Sequence, residues 1–292
     1  MTVRRGCDNA WFPSIICALN SLSTHTYVAL SGVIPALIAM WLVDRLDAKR
    51  PEPLSLRVRV SIFGALSVIP AIILELVLSS TVGAHIGPEF TYQGASFHAF
   101  VVAGAVEEAC KILMVYWMVW RRPEFDERMD GIVYAARAGL GFALVENVMY
   151  LFSQDTLNGQ LQLWIMRAVL AVPGHAIWTG MIGALAARKR FDGRGLGLIG
   201  GYLLAVAFHG AYDCSVFLAS PLKFEGHFTA SKLTILGPIL LTVLGFFILR
   251  GLARRALELD DADAARAAAA YAHAQAQLVA QMPPIPGPVP LG

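Results

Sequence analysis

A small set of side chains in this 292-residue chain has the types and spacing to do chemistry together. Glu107, Glu108 and Lys111 stand in VEEACK, Glu146 and Asn147 in GFALVENVMY, His175 in VPGHAIW, and His209 with Asp213 in FHGAYD. A carboxylate in water-poor surroundings is a competent general base toward water. An imidazole can donate to a developing oxyanion or protonate a leaving amine. Glu107 and Lys111 are i,i+4 and share a helix face, while Glu108 reaches the same lysine at i+3 or turns to a different neighbour. His209 and Asp213 repeat the i,i+4 relation, so Asp213 can orient His209. Glu146, His175 and His209 are also the ligand types of a zinc site. Two routes stay open: a divalent metal such as zinc, or no metal and water activated by glutamate alone. Both are hydrolysis. Glu107 is the preferred base, because its i,i+4 lysine can set its ionisation. Glu146 and His175 position the water or the metal, and His209 stabilises the oxyanion. Lys111, Asn147 and Asp213 support them.

These residues need elements to carry them, and the composition says what those are. The chain is 57% hydrophobic and 15% charged, where a soluble domain is closer to about 25% charged. An all-α, polytopic membrane bundle follows, because lipid leaves the backbone few other ways to satisfy its hydrogen bonds. At about 20 apolar residues per crossing, seven spans are predicted, near 27–43, 60–80, 96–119, 131–152, 163–187, 195–218 and 233–250. The stretch 10–21 is too short to cross, and residues 1–26 read as an N-terminal, interfacial segment. Residues 27–250 form the membrane domain. The Ala-rich stretch 251–281 reads as a cytoplasmic helix and the Pro-rich 282–292 as a disordered tail. Arginine and lysine crowd alternate loops, 44–59, 120–130, 188–194 and the start of the tail, and thin out in those between. By the positive-inside rule the N-terminus is outside and the C-terminus cytoplasmic. The four cysteines have no metal-type spacing, and no nucleic-acid partner is expected.

On this topology the polar residues lie in four consecutive helices, within about 10 Å of one another along the membrane normal. Each has an ordinary reading by itself. Glu107–Lys111 could be a self-neutralising pair, His175 a hydrogen-bonded core residue, Asn147 an interhelical hydrogen bond, Glu75 packing or rim, Asp130 an N-cap. Acids and histidines at similar depth on four adjacent helices are harder to explain as packing, and ionisable groups within a membrane point to function. Buried acids with histidines also make proton relays, so a proton-coupled transporter is the alternative in another class, and a non-catalytic membrane scaffold is a third.

EEACK at 107–111, DGIVYAARAGLGFALVENVMY at 130–150, His175, HGAYD at 209–213 and DRLDAKRPEPL at 44–54 together resemble the PrsW-type intramembrane proteases. The resemblance covers roughly residues 41–218. That family sits in a wider group with the CAAX prenyl endopeptidases and bacteriocin-processing-like membrane proteases. The resemblance implies a multi-pass protease of the bacterial cytoplasmic membrane. Its substrate would be a membrane-anchored protein such as an anti-sigma factor, cut in regulated proteolysis. It also implies that a glutamate of the pair activates water and that the last histidine helps bind the oxyanion. The prenyl-protease branch has histidine in place of Glu146 and asparagine in place of Asp213, so this site is more acidic. Other intramembrane classes lack their motifs here: there is no HExxH, no GxSG and no GxGD.

Overall fold

The structure, a computed structural model, describes residues 23–281; the segment expected at 10–21 and the tail 282–292 lie outside the described residues. What is described is helix with short connections, as the all-α reading requires. Six helices are long and apolar enough to cross a membrane. They are α1 (Ser23–Leu46), α2 (Leu54–Ile86), α4 (Arg128–Phe152), α5 (Leu157–Asp192), α6 (Gly197–Phe224) and α7 (Phe228–Gln281). Between α2 and α4 lies α3, residues 92–118, whose segments Tyr92–Phe97, His98–Ala105 and Val106–Met118 follow one another without a break.

The sequence predicts seven spans, and α3 is the difference. It is helical throughout, but Glu107, Glu108 and Lys111 put three charges in its apolar stretch, where the other six have windows with no more than two. Those three side chains are buried inside the bundle, so the charges that spoil the hydropathy signal face protein rather than lipid. Most helices also outlast the apolar stretch that announced them. A helix has no reason to stop at the hydrocarbon edge when its next residues still satisfy their own backbone hydrogen bonds. The stretch 251–281 continues α7 as one rod.

Helices α4 and α5 form the centre. In their most apolar windows 72% and 78% of residues are buried, against 17–28% for α1, α2, α6 and α7. The outer helices turn large apolar side chains outward, Leu37, Ile38, Leu74, Val77, Leu240 and Phe247 among them. Such an all-round apolar surface suits lipid rather than water.

Small residues let α4 and α5 touch backbone to backbone. A Cβ on Gly183 would stand 1.9 Å from the Gly131 carbonyl oxygen, and one on Gly139 would stand 2.4 Å from the carbonyl oxygen of His175. Gly139→Ala should therefore push the helices apart and cost about 1–3 kcal/mol, as overpacking does. Thermal unfolding in detergent checks this, and an unchanged midpoint would mean the crossing can relax. Gly193 ends α5 in the left-handed region at φ 66°, which a side chain would resist.

Two wide turns lie just before the polar residues. The backbone is π-helical over His98–Ala105, immediately before Glu107, and over Arg167–Ala171, four residues before His175. Pro173 has no backbone N–H to donate, so the regular ladder of α5 is already interrupted there. π-Turns inside α-helices recur at functional sites because they re-aim the side chains that follow. At its other end α4 starts with a capping box. Glu127 is the N-cap, and Asp130, expected as the cap itself, sits at the third helical position. Asp130 Oδ2 accepts from the backbone N–H groups of Glu127 at 2.7 Å and Asp126 at 2.9 Å.

Candidate active site

Val106–Met118 of α3 presents two adjacent carboxylates, and the helical step of about 100° sends them different ways. Glu108 points inward and is fully buried. Its Oε1 accepts from Lys111 Nζ at 2.9 Å and from His209 Nδ1 at 3.0 Å, and its Oε2 accepts from the Thr179 hydroxyl at 2.7 Å. One carboxylate thus ties α3 to α5 and α6. Glu107 accepts from Lys111 Nζ at 3.0 Å and has His209 Nε2 at 3.8 Å. Unlike Glu108, it also forms part of the wall of a cavity of about 590 Å³. That cavity runs between α2, α3 and α4 and is lined by Glu75, His98, Glu107, Phe142, Glu146 and Tyr150 among others. Glu75, expected as packing or rim, is one of its acidic wall residues.

Lys111 is the centre of the network. Its ammonium group also lies 2.8 Å from His175 Nδ1 and 4.2 Å from the centroid of the Phe142 ring. An ammonium can only donate, so His175 Nδ1 accepts and Nε2 carries the proton. That Nε2–H points at Glu146 Oε2, 2.9 Å away. His209 has a carboxylate at each nitrogen: Glu108 at Nδ1, and Asp213 Oδ2 at 3.2 Å from Nε2. Its ring stacks on the indole of Trp178 with centroids 4.2 Å apart. The imidazole is therefore fixed in plane by the stack and in rotation by acceptors on both sides.

The structure brings most of the candidate site residues together. Glu107, Glu108, Lys111, His175 and His209 are in one buried cluster, and Glu146 joins through His175. Asn147 lies one step outside: its Nδ2 donates to the Gly32 carbonyl at 2.6 Å and its Oδ1 accepts from Arg167 Nε at 2.7 Å. Asp213 reaches the cluster through His209 alone.

Arg167, Thr179 and Trp178 are functional neighbours that sequence reasoning does not single out. Arg167 donates to Glu146 Oε2 as well as to Asn147, and its guanidinium lies 4.1 Å from the centroid of the Tyr150 ring. An arginine near the start of the 163–187 stretch is ordinarily one that snorkels to the interface. The cross-helix contacts to Glu146 and Asn147 show otherwise. Thr179 is one helical turn beyond His175, the one signal that it shares that face.

The donors could hold a metal. Ligand atoms from Glu107, His175 and His209 all lie within 4.8 Å of one another, and all three residues are buried. One carboxylate with two imidazoles is a donor set of catalytic zinc. The metal set expected from sequence had Glu146 where the structure has Glu107; Glu146 is instead held by Arg167 and by His175.

Comparison with known proteins agrees with this chemistry. A family model described as PrsW family intramembrane metalloprotease matches residues 52–252. The Protease PrsW of Geobacillus kaustophilus is 34% identical over 185 residues, covering 63% of this chain and 76% of that protein. That of Clostridioides difficile is 33% identical over 192 residues, with the same two shares. The Protease PrsW of Bacillus subtilis is 28% identical over 186 residues, 63% of this chain and 79% of its own. No solved structure matches.

Proposed function

The chain belongs to the PrsW family of intramembrane metalloproteases and is a peptidase, and on that premise we propose how its residues cut a peptide bond and in what. The substrate is a membrane-anchored protein of the anti-sigma-factor kind, cut in regulated proteolysis at the bacterial cytoplasmic membrane. The family membership and the six apolar helices support this reading. The transporter and scaffold readings have no comparable support. α3 is a seventh crossing, with the N-terminus outside and the C-terminus cytoplasmic, on the alternation of Lys/Arg-rich and Lys/Arg-poor loops.

One observation carries the mechanism. Of the two adjacent glutamates, only Glu107 opens on the cavity, and it does so beside His209. Glu107 takes a proton from water, which attacks the scissile carbonyl, and passes that proton to the leaving amine. His209 turns its Nε2–H from Asp213 to the oxyanion, while Glu108 holds the ring at Nδ1. Glu146, which also lines the cavity, and His175, hydrogen-bonded to it, position the water. Lys111 keeps the paired carboxylates compensated inside the bundle. A metal bound by Glu107, His175 and His209 would supply Lewis acidity, polarising the carbonyl and acidifying the water.

His209→Ala tests the reading. Loss of an oxyanion donor lowers turnover by about 10²–10³-fold, measured on a membrane-anchored reporter in proteoliposomes. Cleavage at the wild-type rate would overturn the role. Metal content of the purified protein, with cleavage followed under chelation and after zinc is restored, separates the two routes. Loss on chelation with recovery on zinc assigns the metal route, and full activity without metal assigns the glutamate alone.

A further inference from the structure

A second group of buried acids lies at the far end of α4. Asp130 is in its first turn, sixteen residues before Glu146, so the two are about 24 Å apart along the helix. Asp47 at the end of α1 and Glu52 in the α1–α2 connection bring their carboxylates to it. One oxygen from each of the three lies within 4.8 Å of the others. All three are buried, with 2%, 7% and 0% of Asp47, Glu52 and Asp130 exposed.

Their partners do not account for the charge. Glu52 accepts from the Tyr134 hydroxyl, and Asp130 Oδ2 from two backbone N–H groups. Both oxygens of Asp47 and the remaining oxygen of Asp130 have no hydrogen-bond partner. Nearby cations pair elsewhere: Arg50 with Glu127 and Asp261, Lys49 with Asp261, and Arg128 with Asp192, Asp260 and Asp263. Among the described residues no ion pair reaches Asp47, Glu52 or Asp130. An unpaired buried carboxylate costs several kcal/mol unless something neutralises it.

We propose that Asp47, Glu52 and Asp130 form a divalent-cation site, distinct from the histidine cluster, that ties the α1–α2 connection to the start of α4. The donors are all oxygen, which selects a hard ion over zinc. Three carboxylates suit Ca²⁺, Mg²⁺ or Mn²⁺ alike, so the site is one for a hard divalent cation rather than for one ion size. Neither end of the site depends on the peptidase reading, and the ion joins elements that carry no residue of the histidine cluster except through α4.

The experiment counts Mn²⁺ on the purified full chain in detergent by the loss of its free electron-spin-resonance signal, with Ca²⁺ as competitor. The expected result is one Mn²⁺ displaced by Ca²⁺, at least tenfold weaker in Asp47→Asn and in Glu52→Gln, and unchanged in His175→Ala. Glu52→Gln decides the matter should Asp47→Asn fail to fold. Binding equal to wild type in both acid variants, loss of the ion in His175→Ala, or no Mn²⁺ bound at millimolar concentration would each overturn the proposal. The last would leave shared protons as the neutralising charge.

Discussion

Replacing Glu107 with glutamine should slow peptide cleavage by about 10²–10⁴-fold, the range that general-base catalysis contributes, and leave the protein folded. Glutamine keeps the shape of the side chain and a carbonyl to accept from Lys111, but it cannot take a proton from water. Lys111 retains Glu108 at 2.9 Å as its counter-charge, so the bundle loses a base and not its internal pairing. The informative control is Glu108→Gln, the same chemical change one residue on. Both Glu108 oxygens are already taken, by Lys111 and His209 on one side and Thr179 on the other. An amide there presents a donor to a donor at one of these contacts, and the cost falls on stability. Cleavage of a reporter in proteoliposomes, read with thermal unfolding, distinguishes the two. Inactive but wild-type-stable Glu107→Gln, beside a thermally weakened Glu108→Gln, is the expected pattern. Equal loss of stability in both would show that Glu107 is a structural acid.

Lys111→Met should cost about 3–5 kcal/mol of stability, the cost of breaking a buried ion pair from one side. Methionine fills the same volume, so the effect is one of charge. Glu107 and Glu108 would face each other's field inside the bundle with no cation, and His175 Nδ1 would lose its donor. Folded yield and unfolding temperature in detergent measure it. Adding Glu108→Gln to Lys111→Met removes one of the stranded charges and should recover part of the stability without recovering cleavage. A double variant no more stable than Lys111→Met alone would mean that packing around Phe142, rather than charge, sets the cost.

The parts of this site that lie within one helix were legible in the sequence. Glu107–Lys111 and His209–Asp213 are i,i+4 pairs, and a helix brings such pairs together whatever surrounds it. The depth of each residue in its apolar stretch was legible too, because the membrane fixes a common scale. What was not legible is the angle of each helix about its own axis. Spacing alone gives no way to tell which of two adjacent glutamates meets a cavity, and here it is Glu107. The same holds for Arg167 and Glu146, 21 residues apart in sequence, and for the Asp47, Glu52 and Asp130 group, whose members fall in segments that read separately as a loop and a cap. Apolarity alone leaves α3 out of the crossings for a related reason: a charge scores as a cost, with no credit for its partner on another helix.

The close crossing of α4 and α5 bears on how a substrate gets in. With the Gly139 Cα against the carbonyl of His175 and Gly131 against Gly183, those two helices behave as a single slab. The slab carries Glu146 on one half and His175 on the other, so their spacing is preset and cannot serve as a door. The other walls of the chamber are α3, Phe217 of α6 and the Val68–Ser79 half of α2, beyond the point where Gly64 and Gly141 pin the first half of α2 to α4. A polypeptide that arrives sideways, past the exposed apolar face of α2, comes as a helix about 10–12 Å across whose carbonyls are already hydrogen-bonded along its axis. It has to be unwound before it can be cut. Selection then turns on how readily a segment surrenders its own backbone hydrogen bonds as well as on its side chains, so glycine or proline near the cleavage point would count for as much as any recognition motif.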